Sequence, residues 1–296
     1  MNQNIETKAT VDSDYETRYV LHRRFDRMGR LIGDDNMKKL FNARVLVLGL
    51  GGVGSWAAES LARSGVGHLF LVDFDDICIT NTNRQLHAMA GMVGKKKSAV
   101  MCERLKKINP QSEVIDLALF YNAENCEKIF SVKPDYVIDA IDNLTAKAHL
   151  INECRLRGIP VVSSTGAAAR LDPTQVKLAD LSASHTDPMA AQLRKILRTK
   201  YEFPREGEFG IPCVFSEETH RLPKELHYDE GKGFQCVCPQ GENNMHSCDR
   251  RNVIYGNASF VTGTFGLVMA SWVVRKIIGE VTSLGNKTNN VLNKEG

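Results

Sequence analysis

The sequence predicts an α/β protein with a doubly wound, mostly parallel sheet. Two observations lead to this fold class. Short continuous apolar runs, typical of strands buried on both faces, alternate along the chain with segments of helical periodicity. A glycine-rich turn, Gly49-Leu-Gly51-Gly-Val-Gly54, stands directly between the first such strand and the first such helix, as in the phosphate-binding turns of Rossmann-like sheets.

The individual elements follow from this alternation up to about residue 166. Apolar runs predict strands, and the periodic segments between them, several closed by Gly or Asn-Pro, predict helices. The strands are expected over 44–49, 69–73, 113–117, 135–140 and 159–164, and the helices over 55–64, 94–108, 123–130 and 144–157. Farther along, we expect a strand over 175–181, a basic helix over 189–198 and a core helix over 260–278.

A single domain accounts for most of the chain. We expect it over 18–283, with a nucleotide-binding part at about 40–166 and an irregular substrate part at about 167–283. Residues 1–17 and 284–296 are expected to be flexible tails. The stretch 199–252 is rich in Gly, Pro, Cys and charge, and its length indicates a segment that is functional or partly mobile.

Composition excludes few classes of function. The 296 residues are 43% hydrophobic and 25% charged with a net charge of +3, which neither favours nor excludes a nucleic-acid partner. The polar N-terminus lacks signal-peptide features, and Ser, Thr and Gly interrupt the apolar stretch 258–274, so we expect a buried helix and no membrane partner. Scattered cysteines (Cys78, Cys102, Cys126, Cys154) are typical of a reducing cytoplasm, where we expect the protein.

The glycine turn and Asp73, at the end of the next strand, predict a phosphate and ribose site. Taken alone, this pair favours NAD or FAD. Further groups change the interpretation, because Arg84 follows the second strand, Lys97 lies near the start of the next helix and Asp142 follows the fourth strand. Cations that balance phosphate charge, with a carboxylate that can hold Mg²⁺, favour a triphosphate, and we predict ATP.

The nucleotide part resembles the adenylation site of the ubiquitin-activating-enzyme-like superfamily, which includes activators of sulfur-carrier proteins. The resemblance covers about 24–166 and rests on Gly49, Gly51, Gly52, Gly54, Asp73, Asn81, Arg84, Lys97, Asp142 and Asn143. It implies that Asp73 binds ribose, that Asn81, Arg84 and Lys97 contact the phosphates, and that Asp142 binds Mg²⁺. It also implies a homodimer in which Arg27, on an N-terminal arm, reaches into the neighbour's site.

A second resemblance, over 25–279, is to the bacterial tRNA threonylcarbamoyladenosine dehydratases. Its further matches are Asp172-Pro-Thr-Gln175, Cys213-Val-Phe-Ser216 and Thr262-Gly-Thr-Phe-Gly266. It implies ATP-dependent dehydration (cyclisation) of threonylcarbamoyladenosine in a tRNA anticodon loop, through adenylation of its carboxylate. The alternative is an adenylyltransferase that activates a ubiquitin-like sulfur-carrier protein, but this sequence has none of the Cys-x-x-Cys zinc pairs of those enzymes.

The C-terminal part leaves several roles open. Cys248 is the positional match of a cysteine of that family, and three interpretations remain: a reactive group with a sulfur-transfer protein as partner, a metal ligand with Cys236, Cys238 and His246, or a structural residue. We interpret His87 and His185 as structural. Candidate phosphate contacts for tRNA are Arg194, Lys195, Arg198, Lys200, Arg250 and Arg251.

Overall fold

The computed structural model describes residues 22–226 and 255–281. Their centre is a seven-stranded sheet of order β3-β2-β1-β4-β5-β7-β6. The strands are β1 (Arg44–Leu48), β2 (His68–Val72), β3 (Glu113–Leu117), β4 (Tyr136–Asp139), β5 (Val161–Ser164), β6 (Val176–Asp180) and β7 (Pro212–Ser216). The helices are α1 (Asp26–Ile32), α2 (Asp34–Asn42), α3 (Gly54–Ser64), α4 (Lys97–Ile108), α5 (Cys126–Phe130), α6 (Leu144–Arg157), α7 (Pro188–Lys200) and α8 (Ser259–Ile277).

The sheet is parallel except at one edge, where β6 pairs antiparallel with β7. The chain builds β1, β2 and β3 toward one edge and then crosses back, so that β4 pairs with the other side of β1. Such a reversal opens a crevice at the carboxyl ends of the two central strands, which is where ligands bind in sheets of this class. The predicted fold class is confirmed.

Alternate residues of the central strands face two separate hydrophobic layers. Val45 and Val47 point toward the layer that contains α3, α4 and α8. Leu46 and Leu48 point toward the layer that contains α5, α6 and α7. Because both faces are covered, β1 needs a continuous apolar run, and this explains the pattern in the sequence.

Helix α8 packs closely against α3. A Cβ on Gly266 would lie 2.4 Å from the Val53 carbonyl oxygen, and one on Gly263 would lie 3.3 Å from the Trp56 ring. Small residues therefore let the two helix backbones approach. By length and composition α8 could cross a membrane, but 56% of its apolar window is buried within the described residues. This helix corresponds to the core helix that the sequence predicts over 260–278.

Some predicted boundaries were wrong, and one strand was missed. Helix α4 begins at Lys97 rather than at residue 94, and α5 begins at Cys126 rather than at 123. All five residues of β7 are buried, although they lie in the stretch 199–252 that the sequence predicts to be irregular. The predicted tails at 1–17 and 284–296 lie outside the described residues, as do Cys236, Cys238, His246, Cys248, Arg250 and Arg251.

Candidate active site

The glycine turn follows β1 and faces the turn that follows β4. Gly49 has a φ of +83°, and a Cβ there would lie 2.6 Å from the Ala140 carbonyl oxygen. A Cβ on Gly54 would lie 1.8 Å from the Gly49 carbonyl oxygen. These two glycines are required by the fold itself, whatever the site binds.

Gly51 and Gly52 have a different environment. A Cβ on Gly51 would meet one atom within 4 Å, the Gln85 side-chain nitrogen at 3.9 Å, so the described protein leaves this space open. A Cβ on Gly52 would lie 3.2 Å from Cγ of Arg84. Helix α3 begins here with no side chain capping it, and the Ser55 amide of its first turn donates to the Gly51 carbonyl at 3.2 Å. A helix start without a side-chain cap favours an anion.

Asp73 ties the second strand to the glycine turn. Its two carboxylate oxygens accept hydrogen bonds from the Leu50 amide at 2.7 Å and from the Asp75 amide at 2.9 Å. Burial raises the pKa of Asp73 above its ordinary value, although the nearby Lys97 ammonium partly opposes this shift. The carboxylate thus stands beside the phosphate turn, and its predicted contact with ribose stays a prediction.

Lys97 is the first residue of α4 and is 6% exposed. Its Nζ lies 2.8 Å from a carboxylate oxygen of Asp75. Burial alone would lower the pKa of Lys97, but the carboxylates of Asp73, Asp75 and Asp142 outweigh burial and raise it. Lys97 is therefore a fixed, charged ammonium between the acidic groups of the site.

The other two lysines of the Gly94–Ser98 run are not in the first turn of α4. Lys95 is exposed. Lys96 pairs with Asp76 at 2.9 Å and donates to the Phe74 carbonyl at 2.9 Å. Lys95 is thus part of a solvated face, whereas Lys96 closes the turn that carries Asp75.

Arg84 lies over the glycine turn. Its guanidinium donates to the Thr80 carbonyl at 2.8 Å and to the Asn83 side-chain oxygen at 3.1 Å. Asn81, which the resemblance assigns to phosphate, is buried, and its side-chain oxygen accepts from the Cys78 amide at 3.0 Å. The amide oxygen of Asn81 therefore shapes the turn that presents Arg84.

Asp142 and Asn143 follow β4 on the other side of the crevice. Asn143 caps α6, because its side-chain oxygen accepts from the Ala146 amide at 3.0 Å. Asp142 is exposed and makes no hydrogen bond within the described ranges. An exposed carboxylate at this edge, in the electrostatic field of Lys97, fits a hard divalent cation by its donor chemistry.

A buried charge cluster that the sequence analysis missed lies beneath this turn. Lys147 and Asp139 are both fully buried, and Nζ of Lys147 lies 2.7 Å from the Asp139 carboxylate. The Ser163 hydroxyl donates to the same carboxylate oxygen at 2.7 Å, and the Ile141 amide donates to the other at 3.2 Å. The cluster holds the backbone that leads to Asp142. Its one signal in the sequence is a lysine within an apolar helical stretch.

A second buried ion pair lies at the end of β5. Arg170 and Asp187 are both fully buried, 3.0 Å apart. The neighbouring Ala169 donates to the Gly256 carbonyl and accepts from the Arg221 amide, each at 2.8 Å. Arg221 and Gly256 come before and after the segment that contains Cys248, and both therefore meet at Ala169, beside the carboxyl edge of the sheet. Cys248 itself lies outside the described residues.

Three further candidate residues make contacts that do not involve the glycine turn directly. His87 is fully buried and contacts Gln85 at 3.1 Å, while His185 is exposed beside Glu217 at 3.5 Å. Arg27 lies on α1, two residues after Phe25, whose ring packs near Gly65 at the far end of α3 from the glycine turn. Within its own chain, Arg27 is therefore remote from the phosphate site.

One group of potential metal ligands occurs elsewhere in the described part of the chain, at Cys126, Glu127 and Glu153. Arg157 pairs with both of those carboxylates. The guanidinium balances their charge, so we assign no metal there.

The sheet order, the open glycine turn and the cations around it define an α/β protein that holds a phosphate-bearing nucleotide at the carboxyl edge of its sheet. The ThiF family matches residues 25–295. The tRNA threonylcarbamoyladenosine dehydratase of Escherichia coli is 39% identical over 265 residues, which are 89% of this chain and 96% of that protein. The chain therefore belongs to the ThiF family, and within it to the tRNA threonylcarbamoyladenosine dehydratases.

Two further comparisons define the extent of the similarity. The crystal structure of the E. coli dehydratase in complex with ATP is 38% identical, with a TM-score of 0.74 over 87% of this chain and 95% of that one. The molybdopterin-synthase adenylyltransferase of E. coli is 36% identical, but over 139 residues, 47% of this chain. Similarity to the dehydratase thus extends well beyond the part shared with that adenylyltransferase.

Proposed function

We propose that this protein catalyses the ATP-dependent dehydration of threonylcarbamoyladenosine in tRNA, through adenylation of the threonyl carboxylate. The observation that carries the proposal is the length of the similarity to the E. coli dehydratase, which spans nearly the whole of both chains. The match to the molybdopterin-synthase adenylyltransferase covers less than half of this chain. The segments outside that half are those expected to contact the molecule whose carboxylate is adenylated. Because they match the dehydratase, they favour tRNA over a sulfur-carrier protein as that molecule.

The chemistry proceeds in two steps. A carboxylate oxygen of the threonyl group attacks the α-phosphorus of ATP, an O–P bond forms, and pyrophosphate leaves. A nitrogen of the carbamoyl group then attacks the activated carbonyl carbon, loses its proton, and expels AMP with the former carboxylate oxygen. The ring closes, and the substrate has lost the elements of one water molecule.

The residues around the crevice have distinct roles in this proposal. The helix start at the glycine turn, Arg84 and Lys97 bind and orient the phosphates and stabilise charge that develops in the transition state. Asp73 binds the ribose. Asp142 holds Mg²⁺, which when bound screens the phosphate charge. Asn81 and Asn143 hold the turns that present Arg84 and Asp142.

A homodimer completes this proposal. Arg27 is remote from its own phosphate site, so a role for it requires the site of a second copy. An apolar groove of about 410 Å³ lies beside Arg27 between α1 and α8, lined in part by Met28, Leu31, Leu267 and Val274, and the side chain of Leu31 is 78% exposed. We propose that a second copy covers this groove, in the cytoplasm, where tRNA and ATP are available. A sulfur-transfer partner at Cys248 stays a prediction from the sequence.

The experiment that tests the function uses the purified full chain with ATP, Mg²⁺ and tRNA that carries threonylcarbamoyladenosine. Digestion and mass spectrometry should show the modified nucleoside lighter by one water, with AMP and pyrophosphate as co-products. Omission of ATP is the control. An unchanged nucleoside, together with adenylation of a small protein that ends in Gly-Gly, would overturn the proposal in favour of the sulfur-carrier alternative.

A further inference from the structure

An open groove of about 670 Å³ runs along the outer face of α7. Four of its lining residues are cations, and none is an acid: Ala191, Arg194, Lys195, Arg198, Thr199 and Arg205. The inner face of the same helix, with Leu193 and Leu197, is fully buried. The cations therefore share one surface of an amphipathic helix.

Two of the guanidinium groups are held in place by the protein. Arg194 donates to the Ser184 carbonyl and hydroxyl, both at 2.6 Å. Arg198 donates to the Pro204 carbonyl at 3.2 Å and lies over the Phe209 ring, 5.1 Å from its centroid. Burial lowers the pKa of Arg194, and the nearby Arg198 lowers it further. The groove thus holds like charges close together, and a bound anion would relieve the repulsion between them.

A solvated helix face explains these charges only in part. Cations in the last turn of a helix stabilise its dipole, and this accounts for Arg198. It does not account for Arg194 and Lys195 in the middle of the helix, or for Arg205 beyond its end. Several arginines elsewhere in the described residues do have carboxylate partners, as Arg30 has in Asp26. No such ion pair within 4.0 Å involves the four groove cations among the residues that the structure describes.

The groove leads away from the candidate active site. Asp187 caps the start of α7 and lies beside Gly166, just after β5: a Cβ on Gly166 would be 3.4 Å from the Asp187 carboxylate. The helix is followed by Tyr201, whose carbonyl accepts from Arg155 near the end of α6, at the opposite edge of the sheet. Thirteen helical residues span about 20 Å. A nucleic acid with one nucleoside at the carboxyl edge could therefore lay its adjoining backbone along this flank.

We propose that the α7 groove binds the phosphate backbone of the substrate tRNA next to the modified nucleoside. This inference rests on the proposed function and names the surface that it uses. The preorganised guanidinium groups of Arg194 and Arg198 supply directed N–H donors, and Lys195 and Arg205 supply exposed charge. Backbone contacts carry no sequence information, so the groove binds tRNA with and without the modification equally.

The test compares two double variants with the same change in charge. Lys195→Glu/Arg205→Glu alters the two exposed groove cations and leaves the structural contacts of Arg194 and Arg198. Lys106→Glu/Lys107→Glu alters two exposed lysines at the end of α4, on the β3 side of the sheet. Binding of modified tRNA and of the unmodified transcript is measured from about 50 to 200 mM salt, alongside ATP binding.

The groove variant should bind both tRNAs about tenfold or more weakly. Its salt slope should fall by about 0.7–0.9 for each tRNA phosphate that the variant no longer neutralises. The α4 variant should bind tRNA as the wild type does, and both variants should bind ATP normally. At saturating tRNA, the groove variant should dehydrate its substrate at nearly the wild-type rate.

Equal tRNA binding by the two variants would overturn the proposal that the α7 groove binds tRNA, and it would leave the proposed function intact. A wild-type protein that binds tRNA but does not dehydrate it would overturn the proposed function. Binding of the unmodified transcript by the two variants would still test whether the α7 groove binds tRNA.

Discussion

The buried pair of Lys147 and Asp139 gives the sharpest prediction of stability. Both side chains are fully buried, and the Asp139 carboxylate accepts from Lys147 and Ser163 at 2.7 Å each. Replacing the lysine by methionine preserves most of its volume but leaves a buried carboxylate without its cation. Breaking a buried pair in this way typically costs about 3–5 kcal/mol. We therefore expect Lys147→Met to lose that much free energy of unfolding.

The double variant Asp139→Asn/Lys147→Met is the control. Asparagine can still bond with Ser163 and Ile141, and no charge remains buried. The double variant should be more stable than Lys147→Met, because replacing both partners of a buried pair is often nearly neutral. The recovered energy, about 2 kcal/mol or more, measures the cost of leaving the Asp139 carboxylate buried without its cation.

Urea unfolding at neutral pH measures each variant, and a thermal scan gives a check. For chains of about this size, each kcal/mol lowers Tm by about 2–4 °C, so Lys147→Met should melt roughly 10 °C below the wild type. A loss under about 1 kcal/mol would refute the reasoning, because it would mean that the carboxylate does not depend on the lysine. So would a double variant less stable than the single one.

Four further predictions concern the site and its surroundings. Asp142→Asn should lower the adenylation rate by about two to three orders of magnitude with an unchanged Tm, since Asp142 is exposed; an unchanged rate would remove it from the mechanism. Arg27→Ala should be inactive alone but recover activity when mixed with Asp142→Ala, through hybrid dimers; a fully active Arg27→Ala would contradict this. The pKa of His87 in the folded protein is lowered to about 3 by burial, Lys97 and Arg104, whereas His87 of the unfolded chain has its ordinary pKa. Between these two pKa values the unfolded chain therefore binds one proton more than the folded protein. Stability should fall as pH drops through this window, by about 2 kcal/mol at pH 5, and His87→Gln should lose that dependence in urea unfolding. Gly51→Ala should keep the wild-type Tm and weaken ATP binding, as calorimetry would show.

The sequence predicted β1 to β5 because each of these strands contains apolar residues in succession and is followed by a turn or helix signal. Strand β7 lacked this local signal. Its five residues, Pro212–Ser216, lie in a stretch rich in Gly, Pro and charge, and they become a strand through pairing with β5 and β6. Pairing with distant segments is a tertiary effect that a local pattern does not contain.

The position of the candidate residues at one edge of the sheet could be predicted, but the residues that support them could not. Arg84, Lys97 and Asp142 follow strands at the ligand edge, which can be inferred from chain order alone. The one signal of Lys147 is its place in an apolar helical stretch, and this does not reveal its partners. Its burial depends on Asp139 and Ser163, which belong to two different strands. Lys97 shows the same limit, because its position after a strand predicts a phosphate contact but does not reveal its burial beside Asp75.

The structure distinguishes glycines that the fold requires from a glycine that leaves space for a ligand, a distinction that the sequence motif does not show. In the motif, Gly49, Gly51 and Gly54 have equal weight. In the fold, a Cβ on Gly54 would overlap the Gly49 carbonyl oxygen at 1.8 Å, whereas one on Gly51 would lie 3.9 Å from its nearest neighbour. Gly51→Ala should therefore fold normally, and Gly54→Ala should not.

The added methyl group of Gly51→Ala would occupy the open space above the start of α3, where an uncapped helix favours an anion. If Gly51→Ala bound ATP as tightly as the wild type, the phosphates would have to lie elsewhere, and the roles proposed for Arg84 and Lys97 would fail with it. A loss of ATP binding without a loss of stability is the result that a phosphate site at this turn requires.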